Sequence, residues 1–180
     1  DWDNTYFCTA VYQTYDLSVS GGTPSTTYYT SLSYTQDQGR IKVNSFDRIS
    51  GRVNLSQKVG KWMELGTHVS LSRTNKSGYN DTRSTGDNLF MQTRNLLWGL
   101  YWPTDYKTGD PWTSRYGSYA QNQLYYMNEW ENESINSRIS AVETLTLHLL
   151  KGLDVKSIFS YDNTTVKDHL YHSANHYSGS

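Results

Sequence analysis

A single cysteine, Cys8, occurs in 180 residues, which excludes an internal disulfide framework and a thiolate metal site. A buried or incidental thiol is the simple account of it. Basic residues do not cluster either: 16 Lys and Arg stand against 17 Asp and Glu, for a net charge of -1. The basic stripe that a nucleic-acid partner requires is missing. No apolar run approaches the ~18 residues of a membrane-spanning helix, and the opening residues do not read as a signal peptide. That absence leaves strands untouched, because a transmembrane β-strand needs only about 9 to 11 residues of alternating pattern. Hydrophobic residues make up only 36% of the chain, yet 14% are aromatic, with 16 Tyr and 6 Trp. Disordered chains are poor in aromatics, so disorder is excluded as well.

What is present is alternation. In the stretch from Tyr15 to Gly39, Tyr15, Leu17 and Val19 alternate with Asp16, Ser18 and Ser20. Beyond a turn, Tyr28, Thr30, Leu32 and Tyr34 alternate with Tyr29, Ser31, Ser33 and Thr35. This is the period of a strand. Gly21, Gly22 and Pro24 lie between the runs, and the spacing predicts a hairpin reversed by positive φ at glycine and the preset φ of proline. The polar face is Ser and Thr rather than Lys and Glu, which suits a wet interior better than an open surface.

The pattern recurs. Ile49, Val53 and Leu55 alternate with Arg48, Ser50, Arg52, Asn54 and Ser56. After KVGKW, Met63, Leu65, Thr67, Val69 and Leu71 alternate with Glu64, Gly66, His68, Ser70 and Ser72. From Arg73 to Glu133 strand patterning stops, and within it Leu89, Thr93, Leu96 and Leu97 stand at helical spacing before Pro103. Patterning resumes at SRISAVETLTLHLL and, after Lys151 and Gly152, continues through Leu153, Val155, Ser157, Phe159 and Tyr161. Val142 and Glu143 break the alternation, so the register of that strand is open. The opening residues, with Trp2, Tyr6, Phe7 and Val11, fit a short helix or an irregular loop.

Connections alternate between short (SGGTPS, KVGKW, LLKGL) and long (DQGRIKVNS, then Arg73 to Glu133). Tight periplasmic turns and extended extracellular loops are the habit of a transmembrane barrel. The expected fold is all-β: about six antiparallel strands of a larger transmembrane barrel, with one long extracellular loop. Residues 1–14 are expected to end an extracellular loop, 15–72 to form the first strands, 73–133 the long extracellular loop, 134–163 a strand hairpin, and 164–180 the start of the next strand or loop.

The same residues carry a family resemblance. Asp1 and Trp2, the hairpin Tyr15 to Gly22, the strand Tyr28 to Tyr34, Gly39 with Ile41, Phe46 with Arg48, Arg52 to Leu55, the turn Lys58 to Trp62, and LLKGLDVKSIFSYDN at Leu149 to Asn163 follow one another in order. In that order they resemble the early barrel of SusC/RagA-type TonB-dependent outer-membrane transporters of the Bacteroidetes. The Gly-Ile segment is one residue longer here. The resemblance implies a barrel of about 22 strands, a plug domain before the barrel, TonB-energised import of oligosaccharides or peptides, and a SusD-like surface lipoprotein over the extracellular mouth. It implies the cell outer membrane as location and outer-membrane lipid as surroundings. No plug is found in these residues, and roughly six strands do not close the ~8-strand minimum. The expectation is therefore a segment of a larger chain, with the plug domain absent.

Arg48, Arg52, Glu64 and His68 fall on polar faces of neighbouring strands and are expected to face the lumen or plug, mostly as charge pairs. Glu129, Glu131 and Glu133 suggest a glycosidase pair, but three acids on one segment read more simply as a solvated face. Asp105 and Asp110 bracket a turn without the oxygen spacing of an EF-hand. The five histidines, His68, His148, His169, His172 and His176, form no HExxH or similar pair. Five Asn-x-Ser/Thr triplets begin at Asn54, Asn75, Asn80, Asn132 and Asn163, and Asn54 lies inside an expected strand, which undercuts a glycoprotein reading. No catalytic residue, metal or cofactor is expected.

In the long loop, Trp98, Tyr101, Trp102, Trp112, Tyr116 and Tyr119 are the candidates for contact with substrate or partner, since flat rings with polar handles suit sugars, peptides and interfaces. Tyr28, Tyr34, Trp62 and Tyr161 are read as an aromatic girdle at the bilayer surfaces. The alternative is a soluble, secreted, carbohydrate-binding β-sandwich, in which the apolar face would be covered by a second sheet.

Overall fold

The computed structural model describes residues 4, 7–78, 104, 106–110 and 128–175. Every named element among them is a strand: β1 (Val11–Gly22), β2 (Thr26–Gln38), β3 (Ser45–Val59), β4 (Met63–Ser77), β5 (Trp130–Leu150) and β6 (Leu153–His172). They form one antiparallel sheet in the order β1-β2-β3-β4-β5-β6, each strand beside its neighbours in sequence. The helix expected near Leu89–Leu97 lies outside the described residues.

The register divides the sheet into two faces. Leu17, Leu32, Gly51, Leu71 and Ile139 stand opposite one another in a single row across β1 to β5, and Val19, Thr30, Val53, Val69 and Ala141 form the next. The opposite face carries the row Ser18, Ser31, Arg52, Ser70, Ser140 and Asp162. Because side chains alternate with a period of two, a slip of one residue would exchange these faces, and the pattern pins the register. On β6 the polar face is less pure, with Ile158, Val166 and Leu170 among its residues. Pairing is unbroken from Trp130 to His148 on β5, with a shift only between His148 and Leu150. Val142 thus lies on the polar face, and Glu143 lies on the apolar face between Thr67 and Phe159.

The apolar face is not buried. Leu17 is 67% exposed, Leu32 and Leu71 are each 51%, and Phe159 is 68%; among the described residues only Trp130 is a buried hydrophobic. Leaving a Leu or Phe side chain in water rather than buried forgoes about 1.5–3 kcal/mol each. A sandwich would cover this face, but no second sheet packs against it among the described residues.

Turns at one end are tight: Thr23 to Ser25, Gly60 to Trp62, and Lys151 with Gly152. Gly60 (φ 62) and Gly152 (φ 87) adopt the left-handed conformation that these reversals need. Gly21 and Gly22 do not, contrary to the expectation from sequence; both belong to β1 and neither has a positive φ. Their role is close approach. A Cβ on Gly21 would lie 2.6 Å from the Tyr28 hydroxyl, whose ring covers it, and a Cβ on Gly22 would lie 2.5 Å from the Thr26 carbonyl oxygen.

At the other end the strands run further than their apolar alternation. β4 continues to Ser77, β5 begins at Trp130, and β6 extends to His172. Here the alternation fails, with Ile135 on one face and Val166 and Leu170 on the other among polar neighbours, so backbone pairing marks the strand and side-chain periodicity gives no signal. The ends are clamped: Gly78 N–H donates to the Asn132 carbonyl (3.2 Å), and Asn132 Nδ2 donates back to the Gly78 carbonyl (3.0 Å). Gly78 has φ 133, and a Cβ there would fall 2.1 Å from Asn44 Oδ1. The opening residues form a single bridge, Phe7 to Ile41, with Arg40 over the Phe7 ring at 5.5 Å. Cys8 is half-buried, its Sγ 3.4 Å from the Gly39 carbonyl.

Candidate functional site

The polar face holds the groups that can recognise a ligand. Short Ser side chains from β2 to β5 leave a recess of about 420 Å³, lined among others by Ser31, Ser50, Ser70, Ser72 and Ser140, and Arg48, Arg52 and Arg138 rise from its walls. Arg48 sits opposite Thr35 and Thr74, and Arg52 opposite Ser31 and Ser70. Both are exposed, and neither is paired with an acid among the described residues. Arg138 is held: its Nη2 and Nε donate to Asp162 Oδ2 at 2.6 and 3.1 Å across β5 and β6. An arginine fork without an acid is suited to carboxylates and phosphates.

The four charged residues expected on this face are on it, but they do not form one site. Arg48 and Arg52 belong to the recess. His68 faces Asn54, its Nδ1 3.0 Å from Asn54 Oδ1. Glu64 lies at the tight-turn end, 3.4 Å from Lys58 Nζ and 3.9 Å from His148 Nε2, while His148 Nδ1 is 2.8 Å from Asp154. Sequence reasoning passed over Arg138 and Asp162, although both occupy polar positions of their strands. What was missing was the pairing that carries Arg138 beside Asp162.

Other candidates resolve into local contacts. Glu133 accepts from Asn75 Nδ2 at 2.6 Å, Glu131 lies 3.5 Å from His169 Nε2, and Glu129 accepts a hydrogen bond from the Ser173 hydroxyl. Asp110 N–H donates to Thr108 Oγ1 at 3.2 Å. No group of three or more His, Cys, Asp or Glu that could hold a metal ion occurs among the described residues. Trp98, Tyr101, Trp102, Trp112, Tyr116 and Tyr119 lie outside the described residues, as do Asp105 and His176.

One antiparallel sheet whose strands follow chain order, with tight turns at one end, an exposed apolar face and a polar face, is a section of an up-and-down barrel wall of the transmembrane type. No protein-family model matches the chain. Curated relatives are the TonB-dependent receptor SusC of Bacteroides thetaiotaomicron, 39% identical over 56 residues (31% of this chain and 6% of the relative), and the TonB-dependent receptor P26 of Formosa agariphila, 25% identical over 126 residues (68% and 12%). Among solved structures, the RagAB peptide importer in the closed-closed state matches with TM-score 0.74 and 25% identity, over 98% of this chain and 20% of that one. Its open-open state matches with TM-score 0.72. The chain thus spans about a fifth of the solved chain and less of the curated relatives. In sequence and in fold it resembles the SusC/RagA-type TonB-dependent transporters. These relatives are named as receptors and importers, not as enzymes.

Proposed function

We propose that this chain is part of the wall of an outer-membrane, TonB-dependent importer, with its apolar face toward lipid and its polar face toward the lumen. The observation that carries this reading is the exposed, register-aligned apolar face, which only a nonpolar surrounding makes stable. Tyr28 and Trp62 lie toward the tight turns and Tyr34 toward the long connections, in keeping with an aromatic girdle at each bilayer surface, whereas Tyr161, opposite Ala141, lies between the two levels. The tight turns then face the periplasm and the long connections the cell surface. Arg48 and Arg52 are offered to a plug or to a carboxylate of the cargo, while Ile158, Val166 and Leu170 meet whatever fills the lumen.

The cargo class is oligosaccharide or peptide, and the partners are a SusD-like surface lipoprotein and, through a plug, TonB. The loop aromatics Trp98, Tyr101, Trp102, Trp112, Tyr116 and Tyr119 are assigned to the lipoprotein or cargo. Support comes from relatives named as TonB-dependent receptors and from the RagAB importer. The test is separation of inner membrane, outer membrane and soluble fractions, followed by the denatured mass of the natural polypeptide. An outer-membrane band several times larger than 20.7 kDa, with heat-modifiable migration, is expected. A soluble band near 20.7 kDa would overturn the reading.

A further inference from the structure

Gly51 interrupts the row of Leu32, Leu71 and Ile139 on the apolar face. Nothing in the backbone requires a glycine there. Its φ is not positive, and an added Cβ would meet only the Ser31 carbonyl oxygen, at 3.8 Å. Glycine inside a strand weakens it, and where no conformation calls for it, it marks close approach by another group. The gap is the floor of a recess of about 430 Å³ walled by Leu32, Ile49, Leu71 and Ile139. These four side chains leave a slot lined by hydrocarbon.

One end of the slot is polar. Arg73 stands two residues past Leu71 on the same face, opposite Ile49 and Ser137, and lines the recess with Asn163 and Thr165. Its side chain is exposed and makes no hydrogen bond or ion pair with the described residues. A second cation, Lys167, follows on the same face opposite Ile135. The acids at this end have partners: the Tyr34 hydroxyl donates to Asp47 at 3.2 Å, and Asn75 donates to Glu133 at 2.6 Å. Arg73 is about 10 residues beyond Met63. At ~3.4 Å per residue and a tilt of ~40° this is about 25 Å, the height of a barrel's apolar band. Arg73 therefore stands at the edge of the hydrocarbon, above the slot.

We propose that this recess seats one phosphate-bearing lipid of the outer leaflet, with the phosphate on the Arg73 guanidinium and an acyl chain in the gap over Gly51. The proposal rests on the reading of this face as lipid-facing. A planar cation at the end of an apolar slot complements an anionic head on an apolar tail, and arginine takes phosphate through paired N–H donors. A lipid without a phosphate would satisfy the slot but leave Arg73 unpaired.

The test uses the natural polypeptide carrying this chain, purified from outer membrane in nonionic detergent and titrated with phosphatidylglycerol or with the diacylglycerol of identical acyl chains, which lacks the phosphate. Native mass spectrometry reads the bound lipid. The wild type should retain one phosphatidylglycerol about tenfold more tightly than the diacylglycerol, the scale of one charge-assisted contact. Arg73→Gln should abolish the preference, Arg73→Lys should keep part of it, and Gly51→Leu should lose both lipids while heat-modifiable migration is unchanged. Equal retention of the two lipids by the wild type, or retention unaltered in Arg73→Gln and Gly51→Leu, overturns the proposal and leaves the barrel intact. Absence of the polypeptide from the outer membrane overturns both.

Discussion

Three glycines in similar polar-apolar contexts have three different reasons to be glycine, and the sequence alone does not distinguish them. Gly22 is fixed by the Thr26 carbonyl, Gly60 by its left-handed φ, and Gly51 by neither. Gly22→Ala is expected to destabilise the folded barrel by about 1–3 kcal/mol, because the added methyl meets backbone that must shift. Gly51→Ala should be neutral or stabilising, by up to ~1 kcal/mol, since a strand gains from losing glycine's freedom. The midpoint of heat-modifiable migration of the natural polypeptide orders the two, and a larger loss at Gly51 would contradict this assignment. Glu143 is the residue most at odds with its face, set between Thr67 and Phe159 among apolar neighbours. A carboxylate toward lipid is costly, though less so than a basic residue. Glu143→Leu should therefore raise stability by up to about 2 kcal/mol in a bilayer, measured by denaturant unfolding in vesicles. A loss of stability would mean that Glu143 meets a polar partner.

At the scale of the strands, the alternation Tyr15-Leu17-Val19 and Leu65-Thr67-Val69-Leu71 was enough to place β1 and β4 and to assign their faces. It was not enough to end them. Past Ser72 and before Ser137 no apolar face remains to repeat every second residue, so only the ladder from Ser45↔Ser77 and Ser77↔Glu133 marks β4 and β5 there. The contacts of Arg138 were hidden for a related reason: a pair 24 residues apart is visible only once β5 and β6 are in register. That register is testable. In a Cys8→Ser background, cysteines at Val69 and Ala141 should cross-link on mild oxidation, because they face each other. Cysteines at Val69 and Val142 should not, and the reverse result would move Glu143 to the polar face. At the strand ends, Gly78→Ala should disorder the junction with Asn44 and Asn132, seen as new protease cleavage near residue 78 with the β3-β4 turn still protected.

For the whole molecule, the sheet's meaning depends on what touches each face. The polar recess with Arg48 and Arg52 and the apolar slot over Gly51 lie on opposite sides of the same β3 and β4 backbone. The fold class was legible because two-faced strands, tight turns and long connections agree with one another. The candidate site was legible only in part: Arg48 and Arg52 share a recess, whereas Glu64 belongs to a turn-end cluster with Lys58 and His148. Charge and face can be read from one strand, but distance along the sheet needs all of them. The most direct test is a cysteine accessibility scan in intact outer membranes, over the adjacent positions Ser31 and Leu32, Arg52 and Val53, and Val69 and Ser70, in the Cys8→Ser background. The account predicts that cysteines replacing Leu32, Val53 and Val69 resist a charged maleimide, because a thiol facing hydrocarbon neither meets the reagent nor ionises, and that those replacing Ser31, Arg52 and Ser70 react with it. Uniform reaction of all six with the charged reagent would contradict it, because both faces would then be in water.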